Sequence, residues 1–285
     1  MDADTLLAPL FLVKIGLYAS ALIASGLGLH AALGIVERSG LPRTLVFAAA
    51  AAVLALAFSG ARLLLINVQL GAGLSDAFNA ANFSWTWAAQ GPATIALAGG
   101  TLALIIRLGF RSRLLLGLGA LGVAASFALT GHTQALETPG IAPWAVALHV
   151  LIAGYWFAAP LTLWPRLGLA DELLIGRVER FSAWAIAPIP LLFVLGLWLA
   201  WRLAGGVEAA LSSLYGQLLL AKLLAASIAL GIGAFNKQYV TKALQASSSR
   251  GRHLLKRTLS LDVLLFAAAL ALVGWATTMT GPPDM

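Results

Sequence analysis

Residues 214–235 read LYGQLLLAKLLAASIALGIGAF, an apolar stretch in which Lys222 is the only charged residue. A helix needs about 20 predominantly apolar residues to cross a hydrocarbon core about 30 Å thick. The stretch is followed by NKQYVTKALQASSSRGRHLLKR at 236–257, where Lys and Arg are concentrated. The pattern predicts a transmembrane helix that ends at a basic loop.

The composition of the whole chain agrees with a membrane location. Of the 285 residues, 60% are hydrophobic and 10% charged, and the mean hydropathy is +0.91. Soluble domains carry roughly a quarter charged residues, so the lipid bilayer is the natural solvent for this surface. The absence of cysteine excludes disulfides and thiolate metal sites. The sequence also has no phosphate loop, dinucleotide fingerprint or metalloprotease motif, and no enzymatic activity is predicted.

Apolar stretches long enough to cross a bilayer recur along the chain and predict an all-α membrane protein. We expect a bundle of eight transmembrane helices that forms a single polytopic domain over 1–285. The N-terminus, MDADTLLAPL, is acidic, so the first stretch is expected to be a retained helix and not a signal peptide. The stretches lie at 8–34, 44–66, 91–109, 113–131, 143–164, 181–203, 214–235 and 257–277.

The distribution of positive charge predicts the orientation. Most of the 18 Lys and Arg fall in alternate connections, whereas 67–90, 132–142 and 203–213 hold essentially none. Positive residues favour the cytoplasmic side. Both termini are therefore expected on the outer side of the membrane. Because the charges sort by side, the net charge of +7 does not indicate nucleic acid binding. The aromatic segment 67–90 is expected to lie across the outer face at headgroup level.

Two histidines form the predicted metal site. His132 falls at the outer end of the fourth span, and His149 about two turns into the fifth. The short connection makes these helices antiparallel neighbours, so the imidazoles can converge. Met279, at the outer end of the last span, is a weak third candidate, and Glu137 is the nearest carboxylate. Imidazole and thioether donors without thiolate suit Cu(I).

Less specific interpretations remain open for each of these residues. A histidine at a helix end is usually an interfacial polar group, and a methionine near a terminus is usually incidental. His149 is deeper, where an ionisable residue indicates function by default. His30 and His253 are expected to be structural or solvated.

Several other charges fall inside predicted spans. Lys14, Arg62 and Lys222 lie in outer halves, where they either snorkel to the headgroups or hold an anion. A further alternative is that they orient carboxylates; the candidates are Asp76, Glu137 and Glu208. Asp262, about one turn inside the eighth span, is expected to pair with an inner-loop cation.

The second half of the chain resembles the CopD family of copper-resistance membrane proteins, which includes PcoD and YebZ-like proteins. The resemblance is strongest over 130–283 and is carried by motifs in order. These are GHTQA at 131–135, LHVLIAGYWFAAPLTLWP at 148–165, RFS at 180–182, LYGQLLLAK at 214–222, Asn236, and a tail with Pro282 and Pro283. Trp156 lies in the second motif and is an accessory candidate. Asp262 stands where a family glutamate is expected.

The resemblance implies eight spans, an inner-membrane location and movement of copper. Three functions remain open. The first is a copper transporter with an outer site at His132 and His149, and the second is a b-type haem protein like the cytochrome b561 group that moves electrons. The third is a membrane subunit that accepts copper from a periplasmic chaperone and delivers it. Haem requires two imidazoles at one depth. Electron transfer across the bilayer needs a second pair, for which His30 has only His253.

Overall fold

The computed structural model describes residues 3–71 and 73–280, with side chains for 6–71, 73–247 and 249–280. This part of the chain is α-helical and contains no β-strand. The helices, numbered in chain order, are α1 (Ala3–Ala32), α2 (Leu41–Leu70), α3 (Ala80–Gly109), α4 (Arg113–Ala125), α5 (Ala142–Phe157), α6 (Ala159–Leu163), α7 (Asp171–Ala185), α8 (Pro188–Ala204), α9 (Val207–Ser212), α10 (Leu214–Phe235), α11 (Thr241–Ala246) and α12 (Ser248–Trp275).

The helical, multi-pass membrane class predicted from the sequence is confirmed, but the count of eight spans is not. Within the described residues, six helical segments are long and apolar enough to cross a bilayer, and the bent pair α7–α8 is a seventh. The predicted fourth span is only α4, 13 residues long, and the four-residue 3-10 turn Ser126–Leu129. The six are Leu6–Ala32, Leu41–Leu70, Ala80–Gly109, Ala142–Leu163, Leu214–Ala246 and Ser249–Thr280.

Prolines mark two breaks in these spans. Proline lacks an amide hydrogen and its ring clashes with the preceding turn, so it breaks a helix or begins one. Pro160 lies at the start of α6, directly after α5. Pro188 begins α8, which is bent by 47° from α7.

Segment 67–90 does not lie across the bundle as expected. Most of it extends the two helices on either side, because α2 continues to Leu70 and α3 begins at Ala80. The Asn79 side chain caps α3, and the Thr86 hydroxyl donates to Asn67 Oδ1 at 2.6 Å. These polar contacts allow an aromatic, partly polar sequence to continue as a helical hairpin.

Helix α1 runs through the centre of the bundle and contacts α2, α4, α5 and α12. Glycines permit its closest approach to α5: a Cβ on Gly26 would collide with the Gly154 carbonyl oxygen, and a Cβ on Gly154 would collide with Ser25 Oγ. Small residues allow helix backbones to meet in this way in membrane proteins. This contact fixes α5, and with it His149, against α1.

A polar cluster closes the end of the bundle where α1 finishes. Arg177 Nε donates to Glu37 Oε2 at 2.7 Å, and Arg177 Nη1 donates to the Thr162 carbonyl at 2.9 Å. His30 is fully buried, with Nε2 2.8 Å from the Tyr155 carbonyl and Nδ1 2.9 Å from Thr162 Oγ1. Both ring nitrogens are therefore occupied, as a structural role for His30 requires.

Candidate functional site: a cavity lined by imidazoles and cations

A cavity of about 410 Å³ opens among α1, α2, α3, α5, α8, α10 and α12. Most of its wall is apolar, which follows from the leucines, alanines and aromatic rings that line it. Six of the residues singled out from the sequence meet there: His132, His149, Lys14, Arg62, Lys222 and Trp156.

Lys14 and Arg62 turn towards this interior. Lys14 is 9% exposed, and its Nζ donates to the Thr277 carbonyl at 2.7 Å and to Thr277 Oγ1 at 3.1 Å. Arg62 Nη1 donates to Gln90 Oε1 at 3.0 Å. Both cations thus line the cavity and are held by polar groups of neighbouring helices. Snorkelling to headgroups does not describe Lys14, whose ammonium group is bonded inside the bundle.

His132 lies in the loop between the 3-10 turn Ser126–Leu129 and α5. Gly131 before it has φ of +92°, a left-handed conformation that glycine adopts readily. The imidazole is half-buried and packs edge-on to Tyr215, with ring centroids 6.4 Å apart. Burial, and then the charges of Lys14 and Arg62, lower the pKa of His132 below its usual value. This direction favours the neutral ring, the form in which an imidazole has a lone pair for a metal.

His149 lies deeper, seven residues or about 10 Å along α5. A Cβ on Gly196 of α8 would be 3.2 Å from His149 Cε1, so the glycine leaves room for the ring. His149 Nδ1 is buried and has no hydrogen-bond partner among the described residues. An unsatisfied buried nitrogen is costly and calls for an explanation.

Lys222 is the third cation of the cavity. It lies on α10, close enough to His149 for its charge to act on the imidazole. Within the described chain, no hydrogen bond or ion pair to Lys222 is present. No Asp or Glu belongs to the described lining, so no carboxylate of the lining neutralises its basic side chains.

Three sequence-predicted candidates lie outside the cavity lining. Glu137 is exposed in the loop before α5, and Met279 is half-buried in the π-helical turn Ala276–Thr280. Asp262 is 3% exposed on α12, and its Oδ1 has no partner among the described residues. The ion pair expected between Asp262 and a loop cation does not form in this part of the chain, since α12 holds the carboxylate within the bundle.

Other polar residues of the cavity were not predicted from the sequence. Gln90 accepts hydrogen bonds from Arg62 and, at 3.4 Å, from Thr130 Oγ1. Tyr18 and Tyr215 also line the wall. Of these residues, Tyr215 could have been predicted from the sequence, because it belongs to the LYGQ motif. Gln90 and Tyr18 belong to no sequence motif that would have indicated a role in the cavity.

The donor set alone does not form a metal cage. In the described residues there is no group of three or more His, Asp or Glu side chains able to hold an ion. The metal-ligating side chains of the described lining are therefore the two imidazoles of His132 and His149.

The fold and the cavity define a multi-pass helical membrane protein with a largely apolar cavity between its helices, lined by two imidazoles and three basic side chains. Residues 175–276 match the family model CopD, copper resistance protein D. This match confirms the resemblance over α7 to α12 and associates the chain with copper resistance. It includes Lys222 and Asp262 but neither His132 nor His149. No curated protein and no solved structure matches the chain.

Proposed function

We propose that this protein carries copper across the bacterial inner membrane and that the cavity is its outer copper site. The observation that supports this most directly is the unpartnered Nδ1 of His149, a residue that lines the same cavity as His132. The copper-resistance family match over residues 175–276 supports copper as the ion.

The proposed topology has eight spans with both termini on the periplasmic side. Lys14, in the first half of α1, donates to Thr277, just after the end of α12, which supports a topology in which the start of the first span and the end of the last span lie on the same side. An even number of crossings is needed for this, and the short helix Arg113–Leu129 completes eight. The basic loops then face the cytoplasm, as the positive-inside rule requires.

In this proposal Cu(I) binds His132 and His149, and a periplasmic chaperone supplies it. Met279 stays a predicted third ligand, although it does not belong to the cavity lining. Trp156 forms part of the floor, edge-on to Phe266 at 5.7 Å between ring centroids.

Further polar side chains lie beyond Trp156, on the side of the cavity nearer the basic loops. Asp262 and Asn236, on neighbouring helices, each have a buried side-chain oxygen without a partner among the described residues. Asn236 also begins the π-helical segment Asn236–Val240, and such segments are frequent at functional sites. A transported ion needs successive weak sites, since an ion bound too tightly does not leave.

The test is copper flux into vesicles that contain the purified protein. His149→Ala should abolish flux and reduce the bound copper, because it removes the deeper imidazole. His253→Ala is the matched control and should leave both unchanged. Bound copper without flux would favour a delivery subunit, and a Soret absorption band lost in His149→Ala would favour the haem protein.

A further inference from the structure

We infer that copper occupies the cavity together with an anion, so that the species carried is a complex of Cu(I) with a small coordinating anion such as a halide, carboxylate or thiolate. This inference rests on the proposed function and names the chemical class of its substrate. It follows from the charges of the cavity wall.

The wall carries basic side chains and no acidic ones among the described residues. These basic side chains belong to Lys14, Arg62 and Lys222. Charges of like sign repel more strongly in a medium of low dielectric constant than in water. A bare Cu(I) ion would therefore add a positive charge to a largely apolar cavity whose described lining has basic side chains and no carboxylate to compensate it.

The cations stand beside the proposed ligands. The charges of Lys14 and Arg62 act on His132, and the charge of Lys222 acts on His149. Wherever copper binds an imidazole, it meets a cation nearby. An anion that coordinates the copper and accepts hydrogen bonds from that cation removes the repulsion at both positions.

Hydrogen-bond donors remain available for such an anion. Lys222 has no partner among the described residues. Lys14 has both of its hydrogen bonds with Thr277, and Arg62 has one with Gln90. An ammonium carries three donors and a guanidinium five, so each of these side chains, all of which line the cavity, retains N–H groups that no described residue accepts.

The size of the chamber also fits a complex better than a single ion. One water molecule takes about 30 Å³ of liquid volume, whereas the cavity measures about 410 Å³. The space accommodates a metal and its anionic ligand in a cavity that both His149 and Lys222 line.

Copper K-edge X-ray absorption tests the inference, with bromide as the anion. Purified protein is loaded with Cu(I) in sodium bromide or in sodium methanesulfonate, whose anion coordinates copper weakly. The wild-type protein should show a bromine scatterer bonded to copper in bromide, and at least tenfold tighter copper binding than in methanesulfonate. Copper ligated by nitrogen alone in bromide, with equal affinity in both salts, would overturn the inference.

Variants at Lys222 distinguish an anion that binds both copper and Lys222 from simple repulsion between Lys222 and copper. The two possibilities predict opposite changes in copper affinity. Lys222→Met should lose the bromine scatterer and bind copper at least tenfold more weakly in bromide. Lys222→Glu supplies a fixed negative charge, so it should bind copper with no dependence on bromide. Lys237→Met, at the basic end beyond α10, is the control and should match the wild type. Tighter copper binding by Lys222→Met would mean that the lysine only repels the metal.

If the proposed copper transport is wrong, the same protein gives a different result in these binding measurements. If no copper binds in either salt, copper transport is contradicted. The anion site is then tested by measuring, with bromine fluorescence, the bromide that the copper-free protein retains. Bromide bound by the wild type but not by Lys222→Met supports that site without copper. No bromide in either protein overturns it.

Discussion

At the scale of single residues, the partners of each ionisable group decide its role. His30 and His149 are both buried in helices, yet only His149 has a ring nitrogen without a partner. The sequence placed His149 correctly as a deep ionisable residue. It contained no signal for the Thr277 partner of Lys14, which is 263 positions away in the chain.

The ion pair of Glu37 and Arg177 should make stability depend on pH. The Arg177 guanidinium holds the pKa of Glu37 below its usual value, so the charged form is favoured in the folded state. Its stabilising contribution is present above the unfolded pKa, about 4.3, and is lost as the pH falls through the lower folded pKa. At pH 7, Glu37→Gln should cost about 2 kcal/mol, measured by thermal unfolding in detergent.

A control for this prediction lies at the start of α7. Glu172 is exposed, and Glu172→Gln should unfold like the wild type at every pH. The difference between wild type and Glu37→Gln should shrink as the pH falls below about 4. A difference that stays constant with pH would show that the charge of Glu37 does not stabilise the fold.

At the scale of elements, hydropathy predicted the long helices well, because twenty apolar residues have few alternatives in lipid. It failed where polar contacts between helices decide the outcome. Asn67, Asn79 and Thr86 convert an apparent surface segment into the extension of α2 and α3. Hydropathy also counted residues 113–131 as a full span, although α4 ends at Ala125 and Gly131 has left-handed backbone geometry.

The contact between α1 and α5 should be sensitive to a single methyl group. Gly26→Ala places a Cβ against the Gly154 carbonyl, so α5 must move away from α1. Overpacking of this kind costs about 1–3 kcal/mol, and the variant should unfold at a lower temperature. Gly60→Ala, on α2 with open space around it, should be neutral or slightly stabilising. Equal melting temperatures of the two variants would contradict the close packing.

At the scale of the whole molecule, the absence of cysteine allows a direct test of orientation. Ser84→Cys and Ser249→Cys would each introduce one exposed thiol, on α3 and α12 respectively. With both termini in the periplasm, a thiol reagent that cannot cross the membrane should label Ser84→Cys in intact spheroplasts. It should label Ser249→Cys only after lysis. The reverse labelling pattern would refute the proposed topology.

The short helix α4 has a consequence for the surrounding lipid. Its 13 residues and the 3-10 turn after it span about 27 Å, against about 45 Å for α3 with 30 residues. Leu114, Leu118 and Leu121 of α4 are exposed, so this short side faces acyl chains. Hydrophobic mismatch thins a bilayer beside such a helix. Headgroups and water would then approach the loop of His132, and membranes with shorter acyl chains should give copper an easier entry.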